Sequence, residues 1–440
     1  MIIHEQKRRR VVRIFLSLLF SISCPALAIA QPNANDSVKI TLQQALQEAL
    51  AHNELLQAAR TRVTGAEAAV QEAAGNRLPN LDATFSYAYL DIVPGFKSVK
   101  LGNIEHDFLP AIAIRQPLFT GGKLSHNKQA AEAGLAAQQL ALGNEELNLK
   151  LVVALAYYQL QSTANQIGIL QENRRQLEVQ QQYARLLVQA GRMSELELNR
   201  LQVEIANTDG NLLKARNDYQ LVSNNLAVAM GRREPQLFLP ADSLTMAPLP
   251  TDTTRLLQTA LEHNPLAQKF EWDLKQAEAR IAVQKAARLP QVAAMAWYGY
   301  EFGVESFSPS QNDRYFVGLT AQMPLFDAGV ISARVAQVEA QREQIHWQKQ
   351  YFLKNLAAQI SNLHLRVQEA EERVAIQQQA LTQAEQSYRL ALIEYHAGRR
   401  SNTDLLDIQK SLLNTRLQLN EAMVNYSRAQ AQLLFTLGIL

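Results

Sequence analysis

The sequence predicts a mainly α-helical fold that also carries a membrane β-barrel. The first observation is an internal duplication, in which a helix, a β-hairpin and a long coiled-coil helix follow one another twice. The second is a concentration of aromatic residues in short alternating segments, and the third is a pair of very long stretches without proline. With 440 residues and 47% hydrophobic content the chain can bury a large core, so general disorder is excluded.

The duplication is visible as matching segments at nearly constant offsets. The segment ALQEALAHNELLQ at 45–57 matches LLQTALEHNPLAQ at 256–268, an offset of 211. Later matches have an offset of 207, and they are QPLF at 116–119 with MPLF at 323–326, AGR at 190–192 with AGR at 397–399, and MG at 230–231 with LG at 437–438.

We therefore predict two structural repeats, over residues 31–230 and 256–440, joined by a proline-rich linker over 231–255. Each repeat opens with a helix of about 35 residues that ends at Leu78-Pro79 or Leu289-Pro290, because a residue before proline disfavours helical dihedrals. A strand pair and a long helical hairpin follow. Their predicted ranges are 81–119 and 123–230 in the first repeat, and 290–326 and 330–437 in the second.

The first 30 residues have the three parts of a secretory signal peptide. A basic patch at 7–13 overlaps the start of an apolar run from Val11 to Ile22, and small residues lead to Ala30. Cys24 would be the acceptor of a lipid anchor, but the residues before it fit a lipoprotein pattern poorly. We therefore predict cleavage after Ala30 and export.

The predicted mature chain has no cysteine, which excludes disulfides and thiolate metal sites. The first 30 residues hold five Lys or Arg and one Glu, so the remainder has 38 basic and 40 acidic residues, a formal charge of −2. Such a chain has no general attraction for nucleic acid. Because no later segment approaches the roughly 18 apolar residues of a spanning helix, the exported protein is expected to be periplasmic, secreted or an outer-membrane barrel.

The predicted strands carry aromatic residues on one face, and these are Phe85, Tyr87 and Tyr89, then Tyr298, Tyr300 and Phe302. Partner strands are predicted at 111–116 and 315–322, each ending at Pro117 or Pro324. The windows 81–119 and 290–326 hold 14 of the 30 aromatic residues, which is typical of the interfacial girdles of a barrel. A soluble sheet with an aromatic core would give the same pattern, and the signal peptide favours the membrane.

Long helices are predicted after each strand pair. Residues 123–189 contain no proline and three glycines, and residues 330–397 contain neither. A helix of 67 residues is about 100 Å long. The returning helices have heptad repeats, which predict coiled-coil packing. The heptad positions are Leu405, Leu412, Leu419, Tyr426, Leu433 and Leu440 with Ile408, Thr415, Ala422, Ala429 and Thr436, and Leu198, Ile205, Leu212, Tyr219 and Leu226 with Leu201, Thr208, Ala215, Val222 and Ala229.

Four predicted strands cannot form a closed membrane barrel, because such barrels start at about eight strands. The open edges of the sheet therefore require other copies of the chain. Three copies would supply twelve strands and would place their helical hairpins in a ring below the barrel. The sequence alone does not decide between two, three and four copies.

Taken together, these features resemble the TolC family of outer-membrane efflux proteins over roughly residues 40–440. The resemblance rests on the signal peptide, the repeated element order, the QPLF and MPLF corners, and the heptad segment LLDIQKSLLNTRLQLNEAMVNYSRAQAQLLFTLG. It implies a homotrimer with a twelve-stranded barrel in the outer membrane and an α-helical barrel across the periplasm. It also implies a passive exit duct that works with a periplasmic adaptor and an inner-membrane transporter.

The same resemblance implies a periplasmic gate at the segment YHAGRRSNTDLLD. Tyr395 and Arg400 match the residues that tie inner helices to outer ones, and Asp404 and Asp407 match the inward carboxylate rings. Glu197 lies where the family has an aspartate partner for those ties, with one methylene more. Asp404 and Asp407 are three residues apart and share a helix face, so a trimer would bring six carboxylates together. The simpler interpretation is a set of solvated charges at a helix turn.

The tips of the two helical hairpins are candidates for contact with the adaptor. Gly191 and Gly398 supply the backbone freedom for the turns, and Arg192 and Arg399 are predicted to be exposed there.

No enzyme, cofactor or metal site is predicted. TGGKLS at 120–125 departs from the phosphate-loop pattern at Pro117 and Leu124 and is read as a turn. The pairs His52-Asn53 and His263-Asn264 are explained by the duplication, because no second ligand lies at helical spacing. The alternative function is a trimeric coiled-coil scaffold or adhesin of the cell envelope, which continuous heptads without paired aromatic strands would favour.

Overall fold

The computed structural model describes residues 38–89, 104–242, 253–305 and 309–440, so the predicted signal peptide lies outside the described residues. The first repeat consists of β1 (Val38–Ile40), α1 (Leu42–His52), α2 (Glu54–Gly75), β2 (Asn80–Tyr89), β3 (Ile104–Phe119), α3 (Lys123–Gln189) and α4 (Glu195–Ala229). After β4 (Phe238–Pro240), the second repeat consists of α5 (Thr253–His263), α6 (Pro265–Ala286), β5 (Gln291–Glu305), β6 (Pro309–Gln322), α7 (Val330–His396) and α8 (Asn402–Leu437).

The opening helix of each repeat is two helices, so the prediction of one helix of about 35 residues is wrong. The chain leaves the helical region at Asn53, where φ is −65° and ψ is 125°, and does the same at Asn264. The Asn53 side-chain oxygen accepts hydrogen bonds from the amides of Leu55 and Leu56, which caps α2. The apolar periodicity continues across the break, so the pattern alone concealed it.

The same asparagines tie the opening helices to the returning helices. Asn53 Nδ2 donates to the carbonyl of Ala229 at 3.0 Å, and Asn264 Nδ2 donates to the carbonyl of Thr436 at 2.9 Å. Both asparagines are about 7% exposed, so these hydrogen bonds are shielded from water. The asparagine of each repeated His-Asn pair therefore has a structural role, whereas the ring of His52 hydrogen-bonds only the nearby carbonyl of Glu48 among the described residues.

The strands form one antiparallel sheet of order β2-β3-β5-β6, with β2 and β6 at its edges. The prediction that the strand of the first repeat ends at Pro117 is wrong, because β3 continues to Phe119. Leu109 and Pro110 of β3 have no paired residue on β5. Pro110 has no backbone N–H to donate, so its position costs no hydrogen bond between β3 and β5. The segments predicted to join the strands of each pair are rich in turn-forming residues, and of these 91–103 lies wholly and 304–313 partly outside the described residues.

The predicted linker begins with ordered structure. Strand β4 pairs in parallel with β1, from Val38 opposite Phe238 to Ile40 opposite Pro240. Asp242 then accepts hydrogen bonds from the amide of Leu42 and the hydroxyl of Tyr157. Residues 38–42 and the segment that follows the first repeat are thereby fixed to the same point of α3. Pro248 and Pro250 lie outside the described residues.

Helices α3 and α7 each have 67 residues, so each is a rod about 100 Å long. All the predicted heptad positions of α4 and α8 are buried or half-buried. Helix α3 packs against α4, α8 packs against both α7 and α3, and the four rods therefore lie in the order α7, α8, α3, α4. None of the helices in the described ranges is both long and apolar enough to span a membrane.

We expect Asn53→Ala and Asn264→Ala each to destabilise the fold by about 1–2 kcal/mol, because each loses a helix cap and a buried tether. The midpoint of urea unfolding, followed by circular dichroism, measures this. The neighbouring exposed substitution His52→Ala is the control and should change stability by less than about 0.5 kcal/mol. Equal midpoints for Asn53→Ala and His52→Ala would contradict the assigned role.

Candidate functional site

The two long hairpins turn by the same backbone motif. Gly191 and Gly398 both have φ of 68°, a left-handed conformation that a residue with a side chain adopts at a cost. The amide of Arg192 bonds the carbonyl of Leu187, and the amide of Arg399 bonds the carbonyl of Glu394, each at 2.8–2.9 Å. These bonds close a Schellman motif, which ends each helix and starts the reversal.

The turns place the predicted tip residues in solvent. Gly191, Arg192, Gly398 and Arg399 are all exposed. Two arginines are thus presented at the free ends of the rods, where a partner with acidic groups would meet them.

Arg400 pairs with Glu394 across the second turn. Its Nε and Nη2 both lie 2.7 Å from the same carboxylate oxygen, Oε2 of Glu394. The pair joins the last turn of α7 to the residue before the cap of α8. Within one chain the partner of Arg400 is therefore Glu394, and the tie to Glu197 that the family resemblance implies stays a prediction for the assembled protein.

Tyr395 is buried in an aromatic cluster between the hairpins. Its ring centroid lies 5.8 Å from that of Tyr183 on α3 and 5.7 Å from that of His396. Tyr183 also meets His396 edge to face at 4.9 Å. Such edge-to-face pairs contribute about 0.5–1.5 kcal/mol beyond the burial of area. The end of α7 is therefore held against α3 by ring packing.

The Tyr395 hydroxyl is buried and has no hydrogen-bond partner among the described residues. Burial first, then the nearby Tyr183 and Glu197, raises the pKa of Tyr395 to about 12. The hydroxyl is therefore neutral at physiological pH, and ionising it above pH 10 would cost folding free energy.

Glu197 lies beside the same cluster, in the first turn of α4. Its backbone carbonyl accepts a hydrogen bond of 3.5 Å from Nδ2 of Asn402, the first residue of α8. Asn402 is 1% exposed, and its side-chain oxygen accepts from Gln180 of α3 at 2.9 Å. The structure thus brings Glu197 and Tyr395 together at the point where the two hairpins meet.

Asp404 and Asp407 are exposed on the face of α8 that points away from the other rods. Ser401 caps the helix by accepting a hydrogen bond from the amide of Asp404 at 3.1 Å. Every exposed residue of α8 is polar, and these residues are Asp404, Asp407, Lys410, Ser411, Asn414, Gln418, Glu421 and Asn425. The free face of this helix is therefore suited to contact with water along most of its length.

A ladder of buried amides between α3 and α8 was missed by the sequence analysis. Gln180 bonds Asn402, Asn173 bonds Gln409 at 3.2 Å, and Asn420 bonds the backbone of Ser162 at 3.0 Å. Asn173 and Gln180 are seven residues apart, as are Asn402 and Gln409, so buried-face polar residues at heptad spacing were the available signal. The ladder fixes the register between the hairpins.

Among the described residues, no group of three or more His, Cys, Asp or Glu is arranged to hold a metal ion. At the turns, Arg400 pairs with Glu394, and Tyr395 packs against Tyr183 and His396.

The family comparison matches each repeat separately. A sequence model of the family described as "Outer membrane efflux protein" matches residues 45–232 and 256–439. The cobalt-zinc-cadmium resistance protein CzcC of Cupriavidus metallidurans is 22% identical over 424 residues, covering 92% of this chain and 94% of that protein. The proteases secretion protein PrtF of Dickeya chrysanthemi is 21% identical and covers 82% and 80%.

The fold is shared with solved channel structures. A crystal structure of CusC superposes with a TM-score of 0.78 at 21% identity, covering 93% of this chain and 95% of CusC. The match covers both the strands and the rods. The chain belongs to the outer membrane efflux protein family, a family of channel proteins of the outer membrane with long periplasmic helices, and not of enzymes.

Proposed function

We propose that three copies of this chain close into a passive channel, which is the exit duct of a tripartite efflux or secretion pump with a gate at the hairpin turns. The observation that carries this proposal is the set of unpaired edges of the single chain. Strands β2 and β6 are open edges of a four-stranded sheet, and helices α4 and α7 are the outer rods of the four-rod layer. A chain with two different open edges assembles head to tail, and such contacts form a ring when the rotation closes.

The sheet edges support assembly with further copies of the chain. Within the chain, β3 of the first repeat pairs with β5 of the second. The corresponding pair, β6 with β2, is not made within the described sheet, and the next copy would supply it. Three sheets of four strands give twelve strands, which exceeds the minimum of about eight for a closed barrel.

The helix edges support the same assembly. The outer rods α4 and α7 expose five and seven large apolar side chains, whereas the inner rods α3 and α8, which each have a rod on either side, expose three and none. The exposed residues of α4 are Leu196, Val203, Leu213, Leu221 and Val228, and those of α7 are Val330, Trp347, Tyr351, Leu365, Ile376, Leu390 and Ile393. Apolar area of this extent favours association, because its burial contributes about 25 cal/mol per Å².

The polar face of α8 would line the duct. It lies opposite α3 and carries carboxylates at the turn and a mixture of amide, hydroxyl and charged side chains above it. A wet lining of this kind suits passage of diverse cargo, and the relatives carry names as different as cobalt-zinc-cadmium resistance and proteases secretion. The duct itself would therefore select little, and the transporter would choose the cargo.

The gate would be the junction of the two hairpins. Tyr395 packing and the Arg400–Glu394 pair would hold the end of α7 inward, while Asp404 and Asp407 would form carboxylate rings. The exposed tips, with Arg192 and Arg399, would meet the periplasmic adaptor, which connects the duct to the inner-membrane transporter.

The purified protein is expected to form discrete channels in a planar lipid bilayer and to have the mass of three chains in detergent. Single-channel recording and native mass spectrometry measure these properties. A trimer that forms no channel at any salt concentration or pH would favour the coiled-coil scaffold or adhesin instead. A monomer in both detergent and membrane would contradict both functions.

Replacement of Asp404 and Asp407 by alanine should reduce cation selectivity and block by multivalent cations, because six carboxylates would be removed from one constriction. Reversal potentials in a salt gradient measure selectivity. Glu421→Gln is the matched control, since Glu421 is exposed on the same helix face but two heptads away. Equal shifts for the control and the double variant would remove the carboxylate-ring assignment.

Tyr395→Ala should raise the conductance, because loss of a buried aromatic ring costs about 3–5 kcal/mol of packing in the closed state. Tyr395→Phe should leave the conductance low, since the hydroxyl has no partner among the described residues.

Arg400→Ala should raise the open population by up to about fivefold, as expected for a partly exposed ion pair worth about 0.2–1 kcal/mol. The control is Arg185→Ala, an exposed arginine near the other turn, and no difference between it and Arg400→Ala would contradict the tie.

A further inference from the structure

The two repeats meet within the chain through α3 and α6. Three residues separate the end of β3 from the start of α3, and four residues separate the end of α6 from the start of β5. Because β3 and β5 are neighbours in the sheet, the helices attached to them must also lie side by side, and α3 packs along α6.

The corresponding contact of the other edge is between α7 and α2. Helix α7 follows β6, and α2 precedes β2, so pairing of β6 with β2 of the next copy would bring these helices together. Within the described part of the chain, α7 makes no comparable packing against α2. We infer that α7 of one copy packs against α2 of the next copy, with Gln341 seated on Gly65. This inference rests on the proposed ring.

The contact within the chain shows which side chains such packing needs. Gln276 of α6 lies directly over Gly134 of α3, where an added Cβ would lie 2.5 Å from its Nε2 atom. Nε2 also donates to the carbonyl of Ala130 at 3.3 Å. Glutamine therefore fills the notch that glycine leaves, and a larger residue at 134 would displace it.

The small residues of α3 continue along this face. Ala130, Ala133 and Ala137 are buried, and they lie within one turn of Gly134 on either side. A ridge of alanine and glycine lets the backbone of α3 approach α6 closely. The large side chain is thus on α6 and the small one on α3.

The duplication reverses this arrangement at the other edge. At the offset of 207 the counterpart of Gly134 is Gln341, and at the offset of 211 the counterpart of Gln276 is Gly65. The glutamine is now on the long helix α7 and the glycine on the short helix α2, so the combined volume of the two side chains is the same. Gln341 is exposed, and a Cβ added to Gly65 would have no heavy atom within 4 Å. Within one chain, the notch at Gly65 is therefore unfilled and the Gln341 side chain that would fit it is exposed.

The exchange extends beyond this pair. The counterparts of Ala130 and Ala137 on α7 are Gln337 and Gln344, whereas Ala133 keeps a small counterpart, Ala340, and all three counterparts are exposed. Helix α2 has the sequence ELLQAARTRVTGAEAAVQEAAG, which supplies alanine around the notch. A ridge of glutamines therefore faces a ridge of small residues, which identifies a second copy of this chain, rather than an unrelated protein, as the occupant.

Cross-linking of cysteine pairs tests the contact. The variant carrying Gly65→Cys and Gln341→Cys, treated in membranes with a short bifunctional thiol reagent, should give covalent dimers and trimers on denaturing gels. The pair Gly134→Cys with Gln276→Cys should link within the chain and stay at the monomer mass. The pair Gly65→Cys with Glu343→Cys is the matched control, because residue 343 points about 200° around α7 from residue 341 and should give no ladder.

A trimer by native mass that gives no ladder with Gly65→Cys and Gln341→Cys, or an equal ladder with Glu343→Cys, would overturn this inference and leave the proposed channel intact. Absence of any trimer would overturn both. Each single-cysteine variant should stay monomeric on the gel, since Cys24 lies in the predicted signal peptide.

A size-exchange series tests the packing without a cross-linker. Gly65→Gln should lower the temperature at which trimers dissociate in detergent by several degrees, because two glutamines would compete for one notch. Adding Gln341→Ala to Gly65→Gln should restore most of that temperature, as the contact within the chain has glutamine over glycine. Unfolding of the helices, followed by circular dichroism, should not shift. The contact would also be overturned if Gly65→Gln left the dissociation temperature of the trimer unchanged, or if adding Gln341→Ala did not restore it.

Discussion

The structure depends on one packing relation, the contact of the first repeat with the second. It is made within the chain by β3 on β5, by α3 on α6 and by α3 on α8. Each of these contacts has a duplicate, β6 with β2, α7 with α2 and α7 with α4, that the described part of the chain does not make to a comparable extent. The single chain is therefore half of a closed set of contacts, and the proposed ring is the arrangement in which every duplicate is matched.

The duplicated helices have diverged according to the neighbours they face. The two returning helices share heptad positions, yet α4 exposes five large apolar residues and α8 exposes only polar ones. Helix α8 has amide partners on α3, including Asn173 and Gln180. The counterparts of Asn402, Gln409 and Asn420 on α4 are Glu195, Gln202 and Leu213, and all three are exposed. Contacts within the chain are thus rich in buried hydrogen bonds, which fix register, and the outer edges rely on apolar area, which favours association.

The hairpin turns combine a fixed backbone with adjustable side-chain contacts. Schellman motifs at Gly191 and Gly398 end both rods in the same way. Between them lie an aromatic cluster around Tyr395, with one unpaired hydroxyl, and a partly exposed ion pair. The partly exposed ion pair is worth about 0.2–1 kcal/mol, whereas the buried Tyr395 ring contributes about 3–5 kcal/mol, so ring packing would be the stronger of the two ties in the proposed gate.

The sequence by itself determined the duplication, the aromatic strand pairs, the two rods and the turns, because these follow from local rules such as glycine at helix ends and the absence of proline. Heptad spacing also identified the buried faces of α4 and α8. Only the tertiary structure decided what those faces meet: the break at Asn53, whose tether ends 176 residues away on Ala229, the amide ladder between α3 and α8, and Glu394 as the partner of Arg400. A periodic pattern specifies which side of a helix is buried, but the choice of partner depends on register between segments hundreds of residues apart, and that is set when the chain packs.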